Sequence, residues 1–241
     1  MKIAIISDVH ANLPALKTVL KHAHSLGAKT TWNAGDFVGY GAYPDEVVRK
    51  LDKPNVISII GNYDRKVLKL KLFSEKKKAR MVPEKVFAFQ WAYDRLSPAS
   101  RKNLLSLPGQ RRFKVRGWQV LITHGSPASE TEHLSPSTPD ERMRELAAMT
   151  TANIIICGHS HKPFIRFVGE TWFINPGSVG RPDDGDPRAS YALLRLKKES
   201  LEVTFYRLEY DYEKAASHIL KLHLPEKFAQ MIREGKNLDK L

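Results

Sequence analysis

Seven side chains suited to metal chemistry stand out by where they fall. Asp8, His10, Asp36, Asn62, His124, His159 and His161 each follow closely on a short apolar run. Carboxylate, carboxamide and imidazole donors together suit Zn, Fe or Mn, and the absence of a Cys pair argues against a closed structural zinc site. Four to five donors satisfy one such ion, so seven point to two ions sharing a bridging carboxylate. Taken singly, Asp8 reads equally as a helix cap and Gly61-Asn62 as a plain turn; it is the conjunction that carries the metal reading. His22, His24, His133, His218 and His223 lack this setting and read as ordinary core or surface histidines, and Cys157 as a small buried apolar residue.

For these residues to meet, the apolar runs must be strands of a sheet whose carboxyl ends form one rim. Lys2 to Ser7 reads as a fully buried strand. A helix follows, opened by Asn12 and Pro14 and closed at Gly27, with Leu13, Leu16, Val19, Leu20, Ala23 and Leu26 at helical spacing. A strand at Thr30 to Asn33, a helix at Tyr43 to Leu51 and a β-branched strand at Asn55 to Ile60 complete a βαβαβ opening. Glu84 to Arg95 and Ala99 to Leu107 read as helices, and Arg112 to Val115 with Trp118 to Thr123 as a hairpin. The Pro- and Ser-rich stretch Ser126 to Pro139 is a long loop, a feature often functional in compact domains. A helix at Asp140 to Met149 and a strand at Asn153 to Ile156 lead to three or four more strands, at Phe164 to Val168, Thr171 to Ile174, Ser190 to Leu196 and Leu201 to Leu208. Amphipathic helices near Tyr212 to Leu222 and Pro225 to Glu234 follow.

The 241 residues, 42% hydrophobic, suffice for a sizeable core and exclude disorder. No apolar run approaches the roughly 20 residues of a membrane span, so no membrane partner is expected. A single cysteine fits a reducing compartment, and the expected location is the cytoplasm. The net charge of +13 is local: residues 65–116 hold sixteen basic and three acidic side chains, and the remainder is neutral. The expected organisation is one domain over 1–241, with a basic helical accessory segment at about 65–107 and C-terminal helices at about 212–241. The charge suggests an anionic partner, with nucleic acid one option through residues 65–116; a solvated lysine face is the other reading.

Asp8-Val9-His10, Gly35-Asp36-Phe37-Val38-Gly39, Gly61-Asn62-Tyr63-Asp64, Thr123-His124-Gly125 and Gly158-His159-Ser160-His161, in this order, resemble the five motif blocks of the calcineurin-like metallophosphoesterases. The stretch Asn175 to Arg181 resembles one in the small prokaryotic phosphoesterase and phosphodiesterase group of that superfamily. The resemblance implies an α/β four-layer sandwich of two mixed β-sheets flanked by helices. It implies Asp8, His10, Asp36 and His161 on one ion and Asp36, Asn62, His124 and His159 on the other, with Asp36 as bridge. The cofactors implied are two divalent transition-metal ions drawn from Mn, Fe, Zn and Ni. The activity implied is hydrolysis of a phosphate ester, most simply a diester of a small phosphorylated substrate, by in-line attack of a hydroxide held between the ions.

One departure bears on chemistry. Many relatives carry His after the ligand Asn, where it is thought to assist the leaving group; here Asn62 is followed by Tyr63. A phenol donates a hydrogen bond but is no imidazolium acid at neutral pH, so diesters and activated esters are the expected substrates; the alternative is that Tyr63 only packs against the site. Asn62 and Tyr63 are the candidate catalytic residues. Tyr63 and Arg181 are the candidate substrate-binding residues, Arg181 through a bidentate phosphate contact or else as a plain surface arginine. The run Asp183 to Asp186 lacks the closing Glu of a calcium loop and reads as a turn. Two other functions fit the same architecture: a nuclease or 2′,3′-cyclic phosphodiesterase, and a non-catalytic scaffold like the retromer subunit that resembles these enzymes.

Overall fold

The computed structural model describes all 241 residues. Two five-stranded mixed sheets pack face to face. In the first, the strands β1 (Lys2–Ile6), β2 (Thr30–Asn33) and β3 (Val56–Ser58) run parallel, and β9 (Ala189–Leu196) and β10 (Leu201–Leu208) extend it antiparallel, in the order β10-β9-β1-β2-β3. In the second, β5 (Trp118–Thr123), β6 (Ile154–Ile156) and β8 (Thr171–Asn175) are parallel, edged by β4 (Gln110–Val115) and β7 (Phe164–Val168), in the order β4-β5-β6-β8-β7.

Period-two alternation assigns most of the central strands to two cores at once. Ile3 and Ile5 of β1, Ala192 and Leu194 of β9, Val120 and Ile122 of β5, and Ile154 and Ile156 of β6 meet between the sheets. The intervening residues face outward. Ala4, Ile6, Tyr191 and Leu193 lie under helices α1 (Leu13–Ser25), α2 (Pro44–Leu51), α5 (Pro83–Arg95), α8 (Tyr212–Lys221) and α9 (Glu226–Glu234). Leu121, Ile155, Cys157 and Phe173 lie under α7 (Asp140–Ala148). Three cores separate four layers, the sandwich that the sequence motifs imply.

The basic segment is helical from its start: α3 (Asn62–Lys69), a 3₁₀ turn at Leu70–Leu72, α4 (Glu75–Ala79), α5 and α6 (Pro98–Ser106). Strand β3 is shorter than the sequence pattern predicts. The Ile59 amide makes the last bond to β2, donating to the Asn33 carbonyl at 3.2 Å, and the Ile60 amide donates to the Pro108 carbonyl instead of to a strand. A last 3₁₀ turn, Leu238–Lys240, follows the left-handed cap at Gly235.

Candidate metal centre and substrate cleft

All six parallel strands end on one side of the sandwich, three from each sheet, and the seven predicted donors sit just past five of those ends. The chain takes unusual turns there. Asp8, His10, Asp36, His159 and His161 all have φ between 46° and 63°, a left-handed conformation costing a non-glycine residue of order 1–3 kcal/mol. Five such residues in one place mark a site where side-chain aim has overridden backbone preference. Close approach also requires glycine: a Cβ on Gly61 would lie 2.1 Å from Asp36 Oδ1.

Six of the seven donors converge with their donor atoms in reach of one another. Asp8, His10 and His161 form one buried set of ligand atoms, and Asp8, Asp36 and His124 another. His10 Nε2 lies 3.3 Å from His161 Nε2 and 3.8 Å from Asp36 Oδ2; His161 Nε2 lies 3.1 Å from Asp8 Oδ1. His124 Nε2 is 3.3 Å from Asp36 Oδ2 and 3.0 Å from Asn62 Oδ1. His159 stands apart from both sets. Its backbone amide donates to Asp8 Oδ2 at 3.0 Å, while its ring meets that of His124 edge-on at 5.1 Å and lines the cleft.

The second nitrogen of each ring fixes the tautomer. Nδ1 of His10 faces the Val38 carbonyl at 3.3 Å, that of His124 the Ala34 carbonyl at 2.7 Å, and that of His161 the Arg181 carbonyl at 2.7 Å. A carbonyl only accepts, so Nδ1 carries a proton, and each ring in its neutral form turns a lone pair inward from Nε2. His10 Nε2, His161 Nε2 and Asp8 Oδ1 are then three mutually adjacent acceptors, and Asp8 Oδ1 is buried with no hydrogen-bond donor. Acceptors packed this way call for a cation, and the mixed N and O set fits a divalent transition metal.

The titration behaviour divides the rings. Burial, reinforced by the Arg181 charge, pushes His10 down to about 3; burial and the neighbouring His124 lower His159 to about 4. Burial also opposes charge on His124, but Asp36 and Asp8 outweigh it and raise this ring to about 10. Asp8 and Asp36 are held below the usual carboxylate range, since their histidine neighbours outweigh the cost of burial.

The donors open onto a cleft of about 330 Å³. Lys66 of α3, Lys85 of α5 and Arg181 give it positive walls, and Thr131 and His133 enter from the long loop. Arg181 is half-buried rather than a surface arginine. Its guanidinium lies 5.0 Å from the Tyr40 ring and 5.8 Å from that of Tyr63, and no carboxylate pairs with it. The turn that aims it is tied to the metal loop: Ser178 Oγ donates to the Asp8 carbonyl at 2.7 Å and accepts from the Arg181 amide at 2.8 Å. Tyr63 also lines the cleft. Its hydroxyl is 3.0 Å from that of Tyr40, and its amide donates to Asp36 Oδ1 at 2.8 Å.

Three contributors have no role in the sequence reading. Asp64, fully buried, accepts from the amides of Gly61 and Val38 at 3.0 and 3.1 Å, tying the Asn62 turn to the Asp36 loop; burial and the Asp36 charge raise it to about 7. An acid three residues past a helix cap is a recognisable capping signal, and it is the one clue to Asp64 in the sequence. His133 is not an isolated surface histidine, since its ring lies 4.3 Å from that of His159. The C-terminal turn supplies Asn237, Leu238 and Asp239 as a further wall of the cleft, latched where Lys85 approaches Asp239 at 3.4 Å.

Known proteins carry the same arrangement of sequence and fold. The chain is 33% identical to an uncharacterized protein of Methanocaldococcus jannaschii, across 97% of this chain and 98% of the relative. A metallophosphoesterase structure from Sphaerobacter thermophilus superposes with a TM-score of 0.79 at 32% identity, covering 98% of this chain and 99% of that one. Phosphodiesterase YfcE of Escherichia coli is 27% identical over 80% of this chain and 87% of its own length. The model of the calcineurin-like phosphoesterase superfamily domain matches residues 1–199, and the chain belongs to that superfamily.

Proposed function

We propose that this protein is a metal-dependent phosphoesterase acting on a small organic phosphate, with phosphodiesters preferred. The observation that carries the reading is the meeting of His10 Nε2, His161 Nε2 and the donor-less Asp8 Oδ1 at the floor of a cleft walled by Lys66, Lys85 and Arg181. A cation-binding floor under cationic walls suits an anion that must bridge the two.

In this reading Asp8, His10 and His161 hold one ion, and Asp36, Asn62 and His124 the other. His159, on the cleft wall, would complete the second set, and Asp36 would serve both. When bound, two such ions polarise the phosphoryl oxygens and supply a hydroxide nucleophile near neutral pH. The protein's own groups do the rest. Arg181, without a carboxylate partner, takes a non-bridging phosphate oxygen. Tyr63, whose hydroxyl is shared only with Tyr40, donates to the leaving oxygen without transferring a full proton, which favours leaving groups stable as anions.

The direct test is metal analysis of the purified protein, then turnover of nucleotide monoesters, diesters and cyclic diesters with Mn²⁺, Ni²⁺ or Zn²⁺ added. An Asp36→Asn variant should bind neither ion normally and lose turnover. A metal-loaded protein inactive on every activated ester would instead support a scaffold. A nuclease or 2′,3′-cyclic phosphodiesterase is the second reading, favoured because Lys66 and Lys85 carry the basic segment onto the cleft wall; it requires oligonucleotide binding that weakens steeply with salt.

A further inference from the structure

Leu72 is the most exposed large apolar side chain of the protein at 82%, and Val82 and Phe87, also exposed, lie in the same short segment. Phe87 borders an apolar groove of about 510 Å³, lined chiefly by Leu70, Met81, Pro83, Val86 and Phe87. Soluble surfaces seldom gather apolar groups in this way without a partner. The surroundings are strongly basic. Residues 69–87 hold seven Lys and Arg against two Glu, and both acids are already engaged, Glu75 by Lys78 at 2.8 Å and Glu84 by Lys227 at 2.9 Å.

We propose that this face, built from the 3₁₀ turn after α3, from α4 and from the start of α5, docks on a bilayer surface rich in anionic phospholipid. No helix is long and apolar enough to cross a membrane, so the attachment is peripheral, a mode of membrane partnership that the missing spanning run does not exclude. Leu72, Val82 and Phe87 enter the headgroup boundary while Lys69, Lys71, Lys76, Lys77 and Arg80 meet lipid phosphates.

Charge complementarity selects this occupant. A second copy would bring one basic segment against another. Nucleic acid would satisfy the charge but not the apolar groove, and its bases would find few free rings: Lys77 covers Phe73 at 3.5 Å, Lys71 and Arg101 cover Tyr93 at 4.7 and 4.8 Å, and Arg95 lies over Trp91 at 5.2 Å. Single-strand binders need such rings open for stacking. Helix α5 further links the face to the cleft, since Lys85 lines the cleft and its neighbour Val86 the groove. Docking therefore holds the cleft mouth close to the headgroup layer.

The test is co-sedimentation of the full chain with vesicles of phosphatidylcholine alone and of phosphatidylcholine with one-third phosphatidylglycerol. Binding to the anionic vesicles only, lost in high salt, is the expected result. Leu72→Glu, and Lys69→Glu with Lys76→Glu, should each cut that binding by roughly tenfold or more while thermal midpoints and circular dichroism stay unchanged at these exposed positions. The proposal is overturned by equal binding to neutral vesicles or by no vesicle binding at low salt. Two other outcomes overturn it as well: an oligonucleotide complex weakened by the lysine variants but indifferent to Leu72→Glu, or a dimer that Leu72→Glu dissociates.

Discussion

His10 Nε2 and His161 Nε2 face each other at 3.3 Å, while each ring turns its Nδ1 to a backbone carbonyl. With both rings neutral, as metal binding requires, two lone pairs and the buried Asp8 carboxylate call for a cation to join them. Metal loading should therefore raise the thermal midpoint. At 100 times the dissociation constant the gain is about 2.7 kcal/mol, or roughly 5–10 °C for a chain of this size. Calorimetry with and without chelator measures it, and His161→Ala should remove most of the shift; a chelator-insensitive midpoint would count against the ion site.

The other half of the centre should respond to pH. Asp36 and Asp8 overcome burial and hold His124 protonated up to about 10, well above an unfolded histidine. The stability this contributes is complete below the unfolded value of about 6.5 and is lost as pH rises toward 10. Metal must expel the same proton. Between pH 7 and 10 the metal-free protein should lose stability while metal affinity increases, and calorimetry at pH 7.5 in two buffers of different ionisation enthalpy should register release of about one proton. His124→Gln should abolish both slopes; retention of proton release in that variant would move its source elsewhere.

Arg181 offers a charge with no carboxylate partner, stacked near Tyr40 and Tyr63. A hydrogen bond to a charged group is worth about 1.5–3 kcal/mol, so Arg181→Ala should lower kcat/KM for phosphodiesters by about 10- to 150-fold. Lys at this position should restore only part of that, lacking the planar fork. Steady-state kinetics on a p-nitrophenyl diester decide it, and full activity in the alanine variant would return Arg181 to a structural role.

The candidate metal donors stand out in the sequence for a physical reason. Runs such as Ile3 to Ile6 and Ile154 to Ile156 are buried on both faces, so they have no polar alternation, and the first Asp or His past each run marks a strand end. Tertiary contributions left no such trace. The C-terminal turn reaches the cleft because Phe228 of α9 packs edge-on against Tyr40 at 5.1 Å, a contact that helical periodicity does not encode. His133 lies in a loop without periodicity at all, and only the fold brings it to His159. The half-burial of Arg181 depends on Ser178 and Asp8, partners 170 residues apart.

Tyr63 gives the sharpest test of substrate preference. Its hydroxyl is 3.0 Å from that of Tyr40, whose own ionisation is pushed up by burial and by Tyr63 itself. Tyr40 therefore stays a neutral partner that orients the Tyr63 hydroxyl as a hydrogen-bond donor. Such a donor helps a nitrophenolate depart but not an alkoxide, which needs a proton in the transition state. The wild-type protein should turn over a p-nitrophenyl diester far faster than an alkyl monoester. Tyr63→His should raise the alkyl monoester rate by about 10²-fold, the lower end of general-acid catalysis, and give that rate a descending limb as the new imidazole deprotonates. Its effect on the nitrophenyl diester should be small. Equal efficiency of the wild type on both substrates, or no gain in the histidine variant, would leave Tyr63 as packing for His10, whose ring it meets edge-on at 5.1 Å.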